Sequence, residues 1–304
     1  MNWLLIALIT PLAMAAVNHL DKFLISKYMK GDEVGALVLF SSLFAIVALP
    51  IVAWIEPAVF SVSLIDALLL MVNGALIVLA YICYFYALNQ DETSIVVPLF
   101  QLIPLFGFAL SYFFLGETLS RAQSAGSLIV ISGALLLSLS FANQRLSLKK
   151  GVLFLMVGSS LLYAISAVLF KFVAVSQQRF WPSLFWDFLG KLVAGLVIFF
   201  TISSYRRQFL GVLRENKKTI LALNSLNEIL GIVGEAAFAL ATLLAPVALV
   251  QVVGGFQPMF VFLYGIVLTL LFPGLVKESL ASKDLAQKTI GIATIILGTV
   301  ILSL

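Results

Sequence analysis

Long apolar runs alternate with short polar breaks along the whole chain. A helix that crosses a bilayer needs about 20 mostly apolar residues, because each residue adds about 1.5 Å of rise and the hydrocarbon layer is about 30 Å thick. Breaks such as Lys30-Gly31-Asp32-Glu33 and Asn143-Gln144-Arg145 separate runs of about that length. The pattern predicts ten transmembrane helices, over residues 3–28, 34–55, 63–89, 93–115, 121–141, 150–176, 181–204, 218–243, 246–272 and 286–303.

The composition favours a membrane protein over a soluble domain. Hydrophobic residues make up 62% of the 304 residues and charged residues 11%, whereas ordinary soluble domains carry about 25% charged residues. A core of this size in water could not bury so much apolar surface. We therefore expect an all-α integral membrane protein. The excess of basic residues, 18 Lys and Arg against 14 Asp and Glu, then belongs to loops rather than to a nucleic-acid surface.

The chain also repeats itself. Matching features recur in order at shifts that grow from 149 to 165 residues, which predicts two five-helix repeats, 1–145 and 146–304. Because five is odd, the second repeat enters the membrane from the opposite side, as in many secondary transporters with inverted repeats. The matched pairs are Lys22-Phe23 with Lys171-Phe172, Pro104 with Pro258, and Gly126 and Gly133 with Gly291 and Gly298, the glycines being expected to pack helices closely.

Four charged residues lie deep inside predicted spans, where a charge is costly and usually functional. Lys191 lies near the middle of the seventh helix, with Asp187 one turn earlier on the same face. Glu228 and Glu235 lie two turns apart on the eighth helix, at similar depths. We expect Lys191 and Glu228 to affect transport far more than folding.

These four charges allow more than one interpretation. An Asp187–Lys191 pair could hold helices together, but that would leave both glutamates without an evident cation. A lone buried carboxylate takes up a proton more readily than it stays charged, so the glutamates could couple transport to protons. Alternatively, the carboxylates face a wet cavity and bind the amine of a substrate.

Uncharged polar residues and the only histidine are further candidates. His19 lies at a depth similar to that of Glu228 and could titrate near neutral pH or form a hydrogen bond in packing. Tyr81, Gln101 and Gln257 belong to a set of polar residues that either line a cavity or hydrogen-bond helices to one another. The other members are Asn73, Tyr84, Asn224, Asn227 and Gln251.

Several residues nearer the helix ends have simpler interpretations. Lys22 and Lys171 either extend to the membrane interface or grip an anionic substrate together. Asp21 is expected to be solvated, and Glu117 to shape the turn after the fourth helix. Pro104 and Pro258 predict bends that act as hinges, because a mid-helix proline frees a backbone carbonyl; they lie in the fourth and ninth helices.

The region 87–133 resembles the signature of EamA-type members of the drug/metabolite transporter superfamily. The resemblance rests on Ala87-Leu88, Ser94 to Leu99, Pro104 to Phe106, Leu115 to Ser120 and Gly126, with looser echoes at Pro246, Pro258, Glu278-Ser279-Leu280 and Gly291. It implies a ten-helix transporter that exports or exchanges metabolites through a cavity between its halves. The second half departs from the pattern at 273–278, where a longer segment replaces the short Gly-Glu turn.

We expect a secondary transporter that moves a small polar or amphipathic metabolite by alternating access, by export or exchange, with proton coupling left open. A flippase for a lipid-linked headgroup is the alternative, and a membrane enzyme is a weaker one because no nucleophile, metal cluster or acid–base pair converges at one face. No Walker-type phosphate loop occurs, no cofactor or metal is expected, and the single Cys83 excludes an intrachain disulfide. The expected setting is a bacterial cytoplasmic (inner) membrane, as monomer or homodimer.

Loop charges predict an orientation. If the N-terminus defines the first face, that face carries two basic loop residues, Arg121 and Arg179, and the other face carries thirteen. Basic loops stay in the cytoplasm, which places both termini outside, whereas the family resemblance implies that both are inside. The thirteen are Lys27, Lys30, Arg145, Lys149, Lys150, Arg206, Arg207, Arg214, Lys217, Lys218, Lys277, Lys283 and Lys288.

Overall fold

The computed structural model describes residues 2–28, 34–90, 96–138, 149–177, 179–215, 217–271 and 282–302, and these ranges fold into helices and short turns without a strand. Three 3-10 helices lie among them, at Pro57–Ser61, Val97–Leu102 and Gly254–Phe256. The α-helices of these ranges are α1 Asn2–Tyr28, α2 Val34–Leu43, α3 Ala45–Ile55, α4 Leu64–Gln90, α5 Ile103–Leu115, α6 Arg121–Ser138, α7 Lys150–Gln177, α8 Phe180–Thr201, α9 Ser203–Glu215, α10 Lys217–Leu244, α11 Val247–Val253, α12 Gln257–Leu271 and α13 Ser282–Leu302.

Much of the helical chain has the length and apolarity of membrane spans. The described residues contain seven such segments: Trp3–Leu24, Val34–Ile55, Leu64–Gln90, Lys150–Val175, Phe180–Thr201, Lys218–Leu244 and Val247–Leu271. Shorter apolar helices, Leu99–Leu115 and Ala286–Ile301, lie where the fourth and tenth spans are predicted. Large apolar side chains such as Trp54, Phe113 and Phe154 point outward, each about 80% exposed. An outer surface of this kind suits lipid rather than water. The prediction of an all-helical membrane protein is therefore confirmed for the described residues, with seven candidate spans.

Both prolines predicted as hinges lie where one helical segment gives way to another. Pro104 is in the first turn of α5, directly after the 3-10 helix Val97–Leu102. Pro258 is the second residue of α12 and follows the 3-10 helix Gly254–Phe256. Proline is tolerated in a first turn because its missing N–H has no partner there. The two sites are therefore junctions between helical segments rather than bends within one helix, and hinge motion stays a prediction.

One helix was absent from the sequence prediction. Residues 203–215 form α9, which was read as part of a helix ending at 204 and a loop beyond it. The segment is too polar and too short for a membrane span, but Tyr205 and Val212 are buried and Gln208 accepts a hydrogen bond from the N–H of Gly35 at 2.9 Å. Burial raises the pKa of the Tyr205 phenol, and a hydrogen bond to Tyr86 raises it further. α9 therefore lies along α2 as an amphipathic helix.

The start of the last helix also differs from the prediction. The residues around Lys283-Asp284 were expected to form a loop before a helix at 286, whereas α13 begins at Ser282. Polar residues in a first turn lower the local hydropathy without preventing helix formation. A prediction based on the length of the apolar run therefore places the start of the helix too late. The predicted breaks at 30–33, 91–92 and 143–145, the repeat boundary at 145/146 and the departure at 273–278 lie outside the described residues.

Close helix contacts frame the centre of the molecule. A Cβ on Gly133 would collide with backbone and side chain of Ile295, and one on Gly298 with the backbone of Val130, so the predicted glycine packing of α6 against α13 is confirmed. α4 packs along α7, and α1 packs along α10. α4 and α8 touch backbone to backbone at Gly74 and Gly190, where an added Cβ has no room. This last contact holds the middle of α8 against α4.

Candidate functional site

A cavity of about 260 Å³ lies at the centre of the bundle. Its lining comes from residues on both sides of the predicted repeat boundary, and none of the described side chains of α6 and α13 lines it. Most polar residues singled out in the sequence line it, whereas His19, Pro104 and Asn224 do not. Those that do are Glu228, Glu235, Lys191, Asp187, Gln101, Gln257, Tyr81, Asn73, Tyr84, Asn227 and Gln251, together with Pro258.

Lys191 is the centre of a charged network on one wall of this cavity. Its Nζ lies 2.5 Å from Oε2 of Glu235 and 3.6 Å from Oδ2 of Asp187. The amide of Asn73 donates to Oδ1 of Asp187 at 2.7 Å, and the hydroxyl of Tyr81 donates to Oε1 of Glu235. The expectation that Glu235 lacks a cation is therefore wrong. The long lysine side chain extends from α8 to α10. The rise per residue along two helices gives the depth of each backbone position but not the reach of its side chain.

Glu228 has a different environment from Glu235. Its Oε1 accepts a hydrogen bond from the hydroxyl of Ser41 at 2.7 Å, which joins α10 to α2. Within the described ranges it forms no ion pair. A carboxylate in a partly buried site with a hydroxyl as its hydrogen-bond partner can exist with or without a proton, because the hydroxyl can donate or accept.

Asp21 is buried, which contradicts the expectation that it is solvated. Its residue surface is 3% exposed, and its Oδ1 accepts a hydrogen bond from the amide of Asn227 at 2.8 Å. Asp21 lies near the end of α1 in sequence, but α10 packs along α1 and covers it. The residue lines the cavity beside Asn18 and Glu228. The cavity therefore contains a carboxylate that the residue's position in its helix had discounted.

Several buried polar atoms around the cavity have no hydrogen-bond partner among the described residues. They are Nδ2 of Asn18, Oδ1 of Asn73, the hydroxyl of Tyr84, Oδ1 of Asn227 and both amide atoms of Gln251, and all six belong to cavity-lining residues. Leaving a buried polar atom unpaired costs about 1–3 kcal/mol. So many unpaired donors and acceptors around one cavity are typical of a binding site, where the ligand or water completes the hydrogen bonds.

Aromatic rings form another wall. The rings of Tyr84 and Phe100 lie 5.2 Å apart, those of Phe100 and Tyr163 lie 5.9 Å apart, and Tyr163 and Tyr81 follow at 6.3 Å. Tilted and edge-on contacts at these distances are favourable and hold the rings in fixed orientations. The cavity thus combines several carboxyl groups with a series of packed aromatic rings.

Residues 1–139 match the sequence pattern of the EamA-like transporter family. The match confirms the resemblance noted in the sequence.

Two further likenesses accompany the family match. The chain is 40% identical over 70 residues, 23% of its length, to uncharacterized protein MJ1333.1 of Methanocaldococcus jannaschii, and the match spans 51% of that protein, about half its length. A solved crystal structure aligns with 99% of this chain and 95% of its own, at a TM-score of 0.64 and 16% identity. That likeness concerns the fold alone.

The two lysines matched by the repeat, Lys22 and Lys171, do not line the cavity. Lys171 is 2.5 Å from Oε1 of Glu117 and donates to the carbonyl of Ala245 at 2.7 Å, while Glu117 also accepts from the N–H of Val247 at 2.8 Å. The Lys171 ammonium is thus bound by groups of the protein. This differs from the expectation that the side chain extends to the membrane interface. Lys22 is exposed on α1. Glu117 follows Gly116, which ends α5 at φ 66°, so it shapes this turn and also ties it to α7 and α11.

His19 lies outside the cavity lining. Its Nε2 is 2.9 Å from the carbonyl oxygen of Val261, and its ring lies near that of Tyr264. This contact joins α1 to α12 and matches the packing interpretation of the histidine. No group of three or more His, Cys, Asp or Glu in the described part of the chain is arranged to hold a metal ion.

Some residues that line the cavity were not predicted from the sequence. Asp21, Ser41 and Tyr163 line the cavity, where Asp21 bonds Asn227, Ser41 bonds Glu228 and Tyr163 packs against Phe100. The smaller polar residues Thr10, Ser166 and Thr242 also line it. Serine and threonine often bond to their own helix in apolar spans and carry little signal. Asp21 did carry a signal, since a charge within an apolar run is costly wherever it lies.

Proposed function

We propose that this protein is a secondary transporter that moves a small polar or amphipathic metabolite by alternating access, through export or exchange. The observation that carries the proposal is the central cavity, which combines charged and unpaired polar groups inside an otherwise apolar bundle. Binding sites of secondary transporters lie near the midplane between structural repeats. At about 260 Å³ the cavity is slightly below the ~300–1,000 Å³ of typical small-molecule pockets, which favours a small solute.

The proposal includes ten spans arranged as two inverted repeats, 1–145 and 146–304. Helix pairing supports it. In a five-span shift, the third span corresponds to the eighth and the sixth to the first. The pairing of α4 with α7 then corresponds to that of α10 with α1, and both pairs are extensive contacts. The fifth and tenth spans, α6 and α13, pair with each other across the proposed symmetry axis.

Differences between the repeats support alternating access. The third and seventh spans touch backbone to backbone at Gly74 and Gly190. At the corresponding second and eighth spans, a side-chain hydrogen bond joins Ser41 to Glu228, and a Cβ added to Gly231 would meet no atom within 4 Å. An inverted-repeat transporter with one side packed and the other open can exchange these two arrangements between its halves. The cavity lies where the looser contact is.

The test is counterflow in liposomes that contain the purified protein, with pools of labelled metabolites on one side and unlabelled ones on the other. Saturable exchange of a soluble metabolite is the expected result. Scrambling of a fluorescent lipid-linked reporter without any solute exchange would instead indicate a flippase. Absence of both activities in well-folded protein would contradict the proposed function. The proposed location is the bacterial cytoplasmic (inner) membrane, with a monomer or homodimer as the working unit.

A further inference from the structure

The charges that face the cavity are strongly unequal. Among the described lining residues there are four carboxylates, Asp21, Asp187, Glu228 and Glu235, and one basic residue, Lys191. Lys191 is already engaged by Glu235 and Asp187, so its charge is balanced within the protein. Asp21 and Glu228 have hydrogen bonds from Asn227 and Ser41 but no cation among the described residues. Among the described residues, the cavity therefore has two carboxyl groups without a protein cation and no basic group left for an anion.

Asp21 and Glu228 act on the same region of the cavity. Asn227, whose amide bonds Asp21, directly precedes Glu228 on α10, and both carboxyl groups line the cavity. Tyr84 and Tyr163 line the same cavity. Asn18 and Tyr84 are both more than nine-tenths buried, and the Nδ2 of Asn18 and the hydroxyl of Tyr84 are unpaired there. The unmatched carboxylates and the unpaired groups thus line one compartment beside the aromatic wall.

We propose that this compartment binds an organic cation, with its ammonium group between Asp21 and Glu228 and its apolar or aromatic body against Tyr84, Phe100 and Tyr163. This inference rests on the proposed transport function and names its substrate class. A buried carboxylate is costly unless a positive charge and hydrogen bonds compensate it, and an ammonium supplies both. Aromatic faces attract the same cation through their negative electrostatic surface. An anion would meet unmatched carboxylates, and a zwitterion would need a basic partner that is not already engaged.

Binding to purified protein in detergent at neutral pH tests the substrate class separately from transport. Three probes share one aromatic ring and differ in charge: phenethylamine is a cation, phenylalanine a zwitterion and 3-phenylpropionate an anion. Calorimetric titration should give saturable binding of phenethylamine, at least tenfold tighter than that of phenylalanine, with no saturable binding of 3-phenylpropionate. Tighter binding of the zwitterion or the anion, or no saturable binding of phenethylamine, would overturn the proposal.

Variants decide whether the probe occupies the proposed compartment. D21N and E228Q keep the shape of each side chain and its oxygen acceptor, so the bonds from Asn227 and Ser41 can persist. Each should weaken phenethylamine binding at least tenfold, while E56Q, at a carboxylate outside the cavity lining, should leave it unchanged. Equal binding by D21N and E228Q with normal elution on size exclusion would overturn the cation site. Solute exchange in the counterflow assay by a protein that binds no cation would leave the transporter proposal standing without this substrate class.

Discussion

At the scale of single residues, two carboxylates on α10 have different settings although they lie two turns apart. Glu235 is paired with Lys191 and bonded by Tyr81, whereas Glu228 has a serine hydroxyl. The first arrangement compensates charge inside the protein, and the second leaves a carboxylate available to a proton or a cationic ligand. Glu228 and Lys191 are both expected from the sequence to affect transport more than folding, but their environments in the structure differ.

The first prediction concerns Glu228 as the group that responds to protons. Its carboxylate lies among Ser41, Asp21, Glu235 and Lys191, and protonation would remove its charge from this set. E228Q mimics the protonated form permanently. We expect E228Q to keep the wild-type yield after detergent extraction, to lose most transport, and to lose the pH dependence of the transport that remains. Counterflow at several pH values measures it, with E56Q as control. A pH profile parallel to that of the wild type would contradict a proton-carrying role.

The second prediction concerns Lys191 as a structural cation. Removing one partner of a buried ion pair leaves an uncompensated charge and typically costs about 3–5 kcal/mol. K191M should therefore lower the thermal unfolding midpoint in detergent markedly, because Asp187 and Glu235 lose their common cation. Adding E235Q to K191M should recover part of the loss, since one of the two carboxylates is then neutral. K22M, at an exposed lysine of α1, is the control. A K191M midpoint equal to that of wild type would show that the pair contributes little to folding.

At the scale of helices, Glu117 and Lys171 tie together segments far apart in sequence. Glu117 lies in the turn between α5 and α6, Lys171 lies on α7, and both also bond the backbone at 245–247 between α10 and α11. In the proposed topology this cluster lies at the face that carries the 116–120 turn. Access to the cavity from that face then requires the cluster to separate.

The third prediction tests this tie. E117Q removes the ion pair with Lys171 and keeps an oxygen that can accept from Val247. A cysteine at Thr242, which lines the cavity, reports access when Cys83 is replaced by alanine. We expect a membrane-impermeant maleimide, added from the side of the 116–120 turn, to label T242C several-fold faster in E117Q than in its parent. Unchanged labelling with E117Q, as with the control E56Q, would mean that other contacts keep this face closed.

At the scale of the whole molecule, the distribution of charge over the two faces bears on orientation. In the proposed topology of ten spans both termini lie on one face, and the opposite face carries thirteen basic loop residues against two. The amphipathic helix α9 contributes Arg206, Arg207 and Arg214 to that basic face. It packs along α2. Basic segments of this length remain in the cytoplasm.

The fourth prediction is therefore that both termini are outside. A reporter active only in the cytoplasm, fused after Leu304, should give no signal, and a reporter active only outside should give one. Replacing the five basic residues between Arg206 and Lys218 serves as a control, because eight basic loop residues then remain on that face against two. A cytoplasmic signal at Leu304 would reverse the orientation, in agreement with the family resemblance, and would leave the cavity and its substrate class unaffected.

The sequence alone determined the membrane class, most helix positions and most of the polar lining. Lipid cannot solvate polar side chains, so polar residues within apolar helices turn toward the bundle interior, and Asn73, Gln101 and Gln251 line the cavity for that reason. Only the tertiary structure decided which charges meet: Lys191 reaches Glu235, Lys171 reaches Glu117, and α10 covers Asp21. These pairings depend on how each helix is rotated and placed against its neighbours, and a change of a few ångströms, invisible in the spacing along one chain, makes or breaks them.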